Sequence, residues 1–185
     1  MSEAVLVELE FTPNPDSLKY RVNRSLLARG AKNFSSSEDA KGSKLAGKIF
    51  ELGGISNVMF GTNFISVNFS NQEDLPQKNE QLQKLIQEFL ESGAPVIEFT
   101  DSDESSIKNL SEIEKKIVEF LDQEVRPAVA MDGGDISFEK FEDGFVFLKM
   151  QGSCSGCPSS LMTLKMGVET RLKEVVPEVK EVIPV

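Results

Sequence analysis

Polar and apolar positions alternate along Val5-Leu6-Val7-Glu8-Leu9-Glu10-Phe11, which predicts a strand with one buried face. Two prolines in Thr12-Pro13-Asn14-Pro15-Asp16 remove donors and fix φ, so a turn follows. Leu18-Lys19-Tyr20-Arg21-Val22 alternates again and predicts the second strand of a meander. Ser35-Ser36-Ser37-Glu38-Asp39 reads as a polar approach to a helix, with acids suited to the positive end of its dipole. Ser43 is a second start signal, ahead of Leu45-Ala46-Gly47-Lys48-Ile49-Phe50-Glu51-Leu52, and Gly53-Gly54 stops that helix. Ile55–Phe60 and Phe64–Phe69 both alternate around Gly61-Thr62-Asn63, the pattern of a hairpin. Phe60, Phe64 and Phe69 are expected in the core or on a hairpin face. Pro76 opens a helix whose Leu82, Leu85, Ile86, Phe89 and Leu90 form one apolar face. Val96-Ile97-Glu98-Phe99 is a candidate last strand.

Thr100-Asp101-Ser102-Asp103-Glu104-Ser105-Ser106 has no apolar residue and reads as a linker. Beyond it the period returns to 3.6. Leu110, Ile113, Ile117, Phe120 and Leu121 share a stripe, with Ser111 and Glu114 spaced for a capping box. This helix should run on to Val125-Arg126 and meet Pro127. Met131–Asp135 reads as a turn, with Asp132 and Asp135 as turn acids first and partner contacts second. Ile136–Phe141 and Phe145–Met150 are strands joined by Asp143-Gly144, a strong hairpin signal. A helix from Pro158 to Val175 should bury Leu161, Leu164, Val168 and Leu172. Pro177 breaks it, and Val179–Ile183 reads as a third strand. Met150, Met162 and Met166 are expected in the core. The chain is thus expected to be α+β, with two small domains, each a mixed or antiparallel sheet with helices on one face. The expected division is 1–99, a linker at 100–106, and 107–185, the last with the order α-β-β-α-β.

Composition narrows the function classes. The 185 residues carry a net charge of −10. The first 100 hold 10 basic and 13 acidic residues, and the remainder 10 and 17. No basic patch of the kind nucleic-acid binding needs is visible. The acidic excess suits either a solvated surface or steering toward basic partners. No apolar run approaches the roughly 20 residues of a membrane span. The first residues, Met1-Ser2-Glu3-Ala4-Val5, resemble neither a signal nor a transit peptide, so a cytoplasmic location is expected, or a processed form.

Both cysteines, Cys154 and Cys157, lie in Gly152-Ser153-Cys154-Ser155-Gly156-Cys157-Pro158-Ser159-Ser160, and the chain has no histidine. Two thiolates three residues apart can bind one metal centre. Pro158 suits the first helical position, which would leave Cys157 near a positive dipole end. Thiols so placed fall from about 8.5 to about 3.5–7.5 in pKa. Gly152 and Gly156 would let amides approach sulfur, and Ser153, Ser155, Ser159 and Ser160 could donate to it. Structural zinc and [4Fe–4S] sites take four protein ligands, so a metal site here would need two chains. The motif alone leaves three readings open: a metal or cluster site, a thioredoxin-like redox pair, and a structural or inert pair. Against the redox pair, the motif follows a hairpin rather than the first strand of a βαβ unit.

The residues Val125-Arg126-Pro127-Ala128-Val129-Ala130-Met131-Asp132-Gly133-Gly134-Asp135-Ile136, with Met150 through Ser160, Thr163-Leu164-Lys165 and Val176-Pro177-Glu178-Val179, resemble the NifU-like C-terminal domain of Nfu proteins. Thr12-Pro13-Asn14-Pro15 with Leu18-Lys19, Leu45-Ala46 with Lys48-Ile49-Phe50, and Gly61 through Val67 resemble the Nfu N-terminal domain. The pattern departs at Lys44, Asn63 and Phe69, where the family usually has Pro, Asp and Lys. The resemblance implies a non-enzymatic iron–sulfur cluster carrier. Cys154 and Cys157 of each subunit would bind a [4Fe–4S] cluster bridging a homodimer. The partners implied are cluster scaffolds or donors and apo client proteins, with neither nucleic acid nor membrane. A thiol–disulfide oxidoreductase and a de novo assembly scaffold are the alternatives. The implied location is a bacterial cytoplasm, or the mitochondrial matrix if a transit peptide has been removed.

Overall fold

A computed structural model describes residues 4–28, 30–97, 110–155 and 158–185, with no side chains given at 158–161, 163 and 164. The chain divides into two compact units, Met1–Thr100 and Asp101–Val185. The linker expected at 100–106, like Glu98 and Phe99 of the expected last strand, lies outside the described residues. Val96 and Ile97 are irregular rather than extended in a ladder, and they pack against the first core.

The first unit is a five-stranded antiparallel sheet with two helices. Its strands are β1 (Val7–Phe11), β2 (Ser17–Val22), β3 (Lys32–Phe34), β4 (Ile55–Phe60) and β5 (Phe64–Phe69), in the order β1-β2-β5-β4-β3. Register follows from side-chain period. Tyr20 faces Ile65, Leu18 faces Val67, and Val58 and Phe60 flank β5 on its other side. All of these belong to one core with α1 (Lys44–Glu51) and α2 (Asp74–Glu91). A one-residue slip would turn that whole set to the opposite face. Ser43 caps α1, its hydroxyl accepting from the Ala46 amide at 3.2 Å. The polar stretch 35–39, expected to approach a helix, leads into the 3-10 turn Asp39–Gly42 ahead of α1, and β3 precedes it. Ser35 and Ser36 exchange hydrogen bonds with Asp39, so these short polar side chains close a turn instead of starting a longer helix.

The second unit has the order α-β-β-α-β. Helix α3 (Glu112–Phe120) begins with the expected capping box between Ser111 and Glu114. It does not stop at Pro127. A π turn (Leu121–Val125) continues directly into α4 (Arg126–Met131). Proline removes one amide and crowds the carbonyl four residues back. The wider turn just upstream, where the Arg126 amide bonds to the Leu121 carbonyl, accommodates both problems. Strands β6 (Gly134–Glu142) and β7 (Phe145–Gly152) form the hairpin through Asp143 at φ 52° and Gly144 at φ 90°, the left-handed pair a two-residue turn demands. Strand β8 (Glu181–Pro184) pairs parallel with β7, and α5 (Pro158–Val175) supplies the crossover a parallel pair needs. Ile117, Leu121, Val129, Ile136, Val146, Leu148, Leu172 and Val182 share the second core.

Met162 and Met166, expected in that core, are each 70% exposed. The inward stripe of α5 runs through Val168 and Leu172, both buried. Six positions at about 100° each place Met162 far around the helix from Val168, and Met166 lies one turn along on its side. Met150 does pack against the core. Phe60, Phe64 and Phe69 are buried as expected.

Candidate functional site

The cysteine loop is carried by the last residues of α4, the start of β6 and the end of β7. Gly134 pairs with Gly152 in the β6–β7 register, so the chain enters the loop directly opposite the α4–β6 turn. Gly152 ends the strand at φ 63° and Gly133 turns at φ 77°, a left-handed region that favours glycine. The Ser153 amide donates to the Gly133 carbonyl at 3.1 Å, and the Ser155 amide to the Gly152 carbonyl at 3.0 Å. Buried Ser153 donates its hydroxyl to the Asp132 carbonyl. A hydroxyl has one proton, so the donor role toward sulfur expected of Ser153 is taken by the main chain.

Cys154 is 4% exposed and belongs to the second core. Its Sγ lies only 2.1 Å from where a Cβ on Gly134 would stand. The missing side chain at Gly134 therefore makes the seat for the thiol. This is a packing role, separate from the turn role that glycine usually signals in sequence. Cys157 lies outside the described residues. The helix expected behind it is present, since α5 begins at Pro158.

An ion pair ties the start of α4 to β6, one residue along from Gly134. Arg126 donates from Nε to Oδ1 of Asp135 at 2.9 Å and from Nη2 to Oδ2 at 2.8 Å. Its Nη1 reaches Asp122 at 2.8 Å. The carboxylate hydrogen bonds hold the guanidinium above its ordinary pKa, chiefly through Asp135, against the opposing effect of burial. Asp135 is buried and sits in β6, beside Gly134, so it is not the turn acid expected. The π turn sets the phase of Arg126: one extra residue in a turn advances all that follows by about 100°. Arg126, Gly134 and Asp135 carried no site signal in the residue pattern. An arginine nine residues from an aspartate shows a pair only once helix and strand are docked.

Midway along α5, Glu169 accepts from the Val182 amide at 3.0 Å and from Lys173 at 2.6 Å, and Lys165 reaches Glu181 at 2.8 Å. The contacts to Val182 and Glu181 pin the helix behind the loop to β8. Among the described residues no group of three or more Cys, Asp or Glu is placed to hold a metal ion.

Fold and loop define a two-domain α+β protein whose second domain presents a Cys-x-x-Cys loop ahead of a helix. Residues 7–93 match the family model described as the scaffold protein Nfu/NifU N terminal, and residues 117–183 match that of the NifU-like domain. The chain is 38% identical over 180 residues to the NFU1 iron-sulfur cluster scaffold homolog, mitochondrial, of Homo sapiens, covering 96% of this chain and 71% of that protein. It is 38% identical over 181 residues to the homolog of Drosophila ananassae, with 96% and 63% covered. A solution structure of a NifU-like protein from Saccharomyces cerevisiae aligns with a TM-score of 0.48 at 20% identity, covering 54% of this chain and 92% of that one. The chain belongs to the Nfu family of iron–sulfur cluster scaffold proteins. The relatives are mitochondrial proteins, which overturns the expected bacterial cytoplasm. That expectation leaned on the character of the first residues, and targeting segments are removed without leaving a mark on the fold.

Proposed function

We propose that this protein is a non-enzymatic carrier that holds a [4Fe–4S] cluster through Cys154 and Cys157 of two subunits and passes it to apo client proteins. The observation that carries this reading is the seat of Cys154: a thiol set against Gly134 on a braced hairpin end, one residue triplet ahead of a helix-leading cysteine. One chain offers two thiols and no imidazole, which is half the ligand set of a closed cluster site. The cluster is cargo, and transfer is ligand exchange. A client thiol loses its proton and bonds to iron as the Cys154 sulfur leaves, and the departing thiolate takes up a proton. No net electron transfer is required.

Cys154 is nearly inaccessible in the unloaded chain, so cluster ligation and disulfide exchange alike require the sulfur to leave its seat. The same core that shelters it provides a resting place for the sulfur between loads. The compartment proposed is the mitochondrion, following the relatives. The proposed domain boundary lies within 100–106, where limited proteolysis should cut first and release a fragment that begins near 107.

Anaerobic reconstitution with iron and sulfide tests the function. The expected product is a coloured, oxygen-sensitive dimer with about four irons per pair of chains. Cys154→Ser and Cys157→Ser should each abolish loading. A colourless monomer that takes only zinc, or catalytic disulfide turnover by the wild-type protein, would overturn the reading.

A further inference from the structure

A thiol buried this deeply has to move before it can bind a metal. In its seat Cys154 is 4% exposed and packed in the second core against Gly134. A sulfur so enclosed cannot at the same time bond an iron shared with a second chain. The segment that carries it must first lift off the α4–β6 turn. The contacts that hold the segment down then decide how readily the sulfur is released.

Ser153 supplies two of those contacts. Its amide donates to the Gly133 carbonyl at 3.1 Å, and its hydroxyl donates to the Asp132 carbonyl. Asp132 is the C-cap of α4, where helix carbonyls have no partner within the helix. Ser153 is itself buried, so its hydroxyl needs an acceptor within the protein, and the helix end provides one. Opening leaves no orphan at that helix end. Asp132 is exposed, and water can take over its carbonyl once the serine leaves. Gly152, where β7 ends, stands at φ 63° and can adopt negative φ as readily. It gives the segment a hinge beside the last rung of the ladder, Gly134 opposite Gly152.

We infer that Ser153 is a positioning residue for the cluster-binding thiol: its hydroxyl latches Cys154 in the seat, and the latch opens locally to release the sulfur. The inference rests on the cluster reading only for what the released sulfur then binds; the latch belongs to the fold. Seated and released forms compete. Whatever shelters the thiol therefore weakens its hold on the cluster by the same factor. Such a balance suits a protein that must let its cargo go.

The first test uses the full chain with Cys157→Ser, so that Cys154 is the thiol read. Maleimide labelling is followed under native conditions with and without Ser153→Ala. Labelling should be about fivefold faster without the hydroxyl, the effect of one hydrogen bond. Urea well below the unfolding transition should leave both rates nearly unchanged, because a local opening exposes little new surface. A variant that was merely less stable would label through global unfolding and depend steeply on urea. In the second test both cysteines are kept and the reconstituted protein is titrated with an iron chelator. Ser153→Ala should need at least about fivefold more chelator to lose half its cluster, since the competing seated form is weakened in each subunit. Equal labelling rates overturn the inference, as does labelling that accelerates with urea in step with unfolding. Weaker cluster retention in Ser153→Ala overturns it as well, because the hydroxyl would then support the loaded form. If the wild-type chain takes up no cluster while labelling still rises about fivefold, the latch stands and the cluster reading falls.

Discussion

At Gly134 a single hydrogen in place of a methyl group decides where a thiol can rest. A Cβ there would meet Cys154 Sγ at 2.1 Å and its Cβ at 3.0 Å, so the cysteine as a whole must move. Gly134→Ala should expel the thiol. In a Cys157→Ser background, maleimide labelling of Cys154 is expected to speed up by on the order of tenfold, as exposure governs thiol reactivity. An unchanged labelling rate would show that the seat does not control access. Arg126 pairs with Asp135, the next residue of β6. Removing one partner of a fully buried pair costs roughly 3–5 kcal/mol, and Arg126 retains some solvent contact, so Arg126→Met should cost about 2–3 kcal/mol. The readout is the denaturant midpoint, accompanied by weaker cluster loading. The double variant with Asp135→Leu should recover part of the stability, because no buried carboxylate is then left without its partner.

Among the elements, α5 has two separable duties. Its inner stripe holds the core through Val168 and Leu172, while its opening turns display Met162 and Met166 to solvent. Its attachment to β8 depends on a carboxylate. The Lys173 ammonium and then the Val182 amide hold Glu169 below the usual 4.5, against weaker desolvation. A depressed carboxylate stabilises the fold above its ordinary pKa, and that contribution is lost as pH falls through the lower folded value. In Glu169→Gln the acid-side slope of stability should therefore be shallower than in wild type. Urea melts at pH 7 and below 4.5 check this: the gap between the two proteins should narrow with acid, and a gap that widens would refute it. The helix that crosses Pro127 teaches a related lesson. Proline marks trouble for hydrogen bonds, and a π turn is one way a docked helix can absorb it.

At the scale of the whole molecule, two cores are assembled from separate stretches of chain. Ile49 is fully buried in the first and Leu172 in the second. Ile49→Ala and Leu172→Ala should each cost about 2–5 kcal/mol. In calorimetry each should lower a different one of two transitions. A single transition shifted equally by both variants would show that the units unfold together.

Much of the architecture was legible along the chain because it depends on local period and punctuation. Alternation marked β1, β2, the β4–β5 hairpin and the β6–β7 hairpin. Ser43, Ser111 and Asp143-Gly144 marked ends and turns through contacts spanning four residues or fewer. Strand β3 escaped because three residues hold too little pattern to show a period. The two methionines of α5 misled because an apolar residue type does not say which side of a helix it faces. The cysteine loop and the helix behind it could be read from spacing and from Pro158. What residue order could not supply was the environment of the thiol. The seat made by Gly134 and the pair of Arg126 with Asp135 each join residues on separate elements. Contacts of that kind exist only after the elements dock, since they are set by register, helix phase and packing rather than by neighbours in the chain.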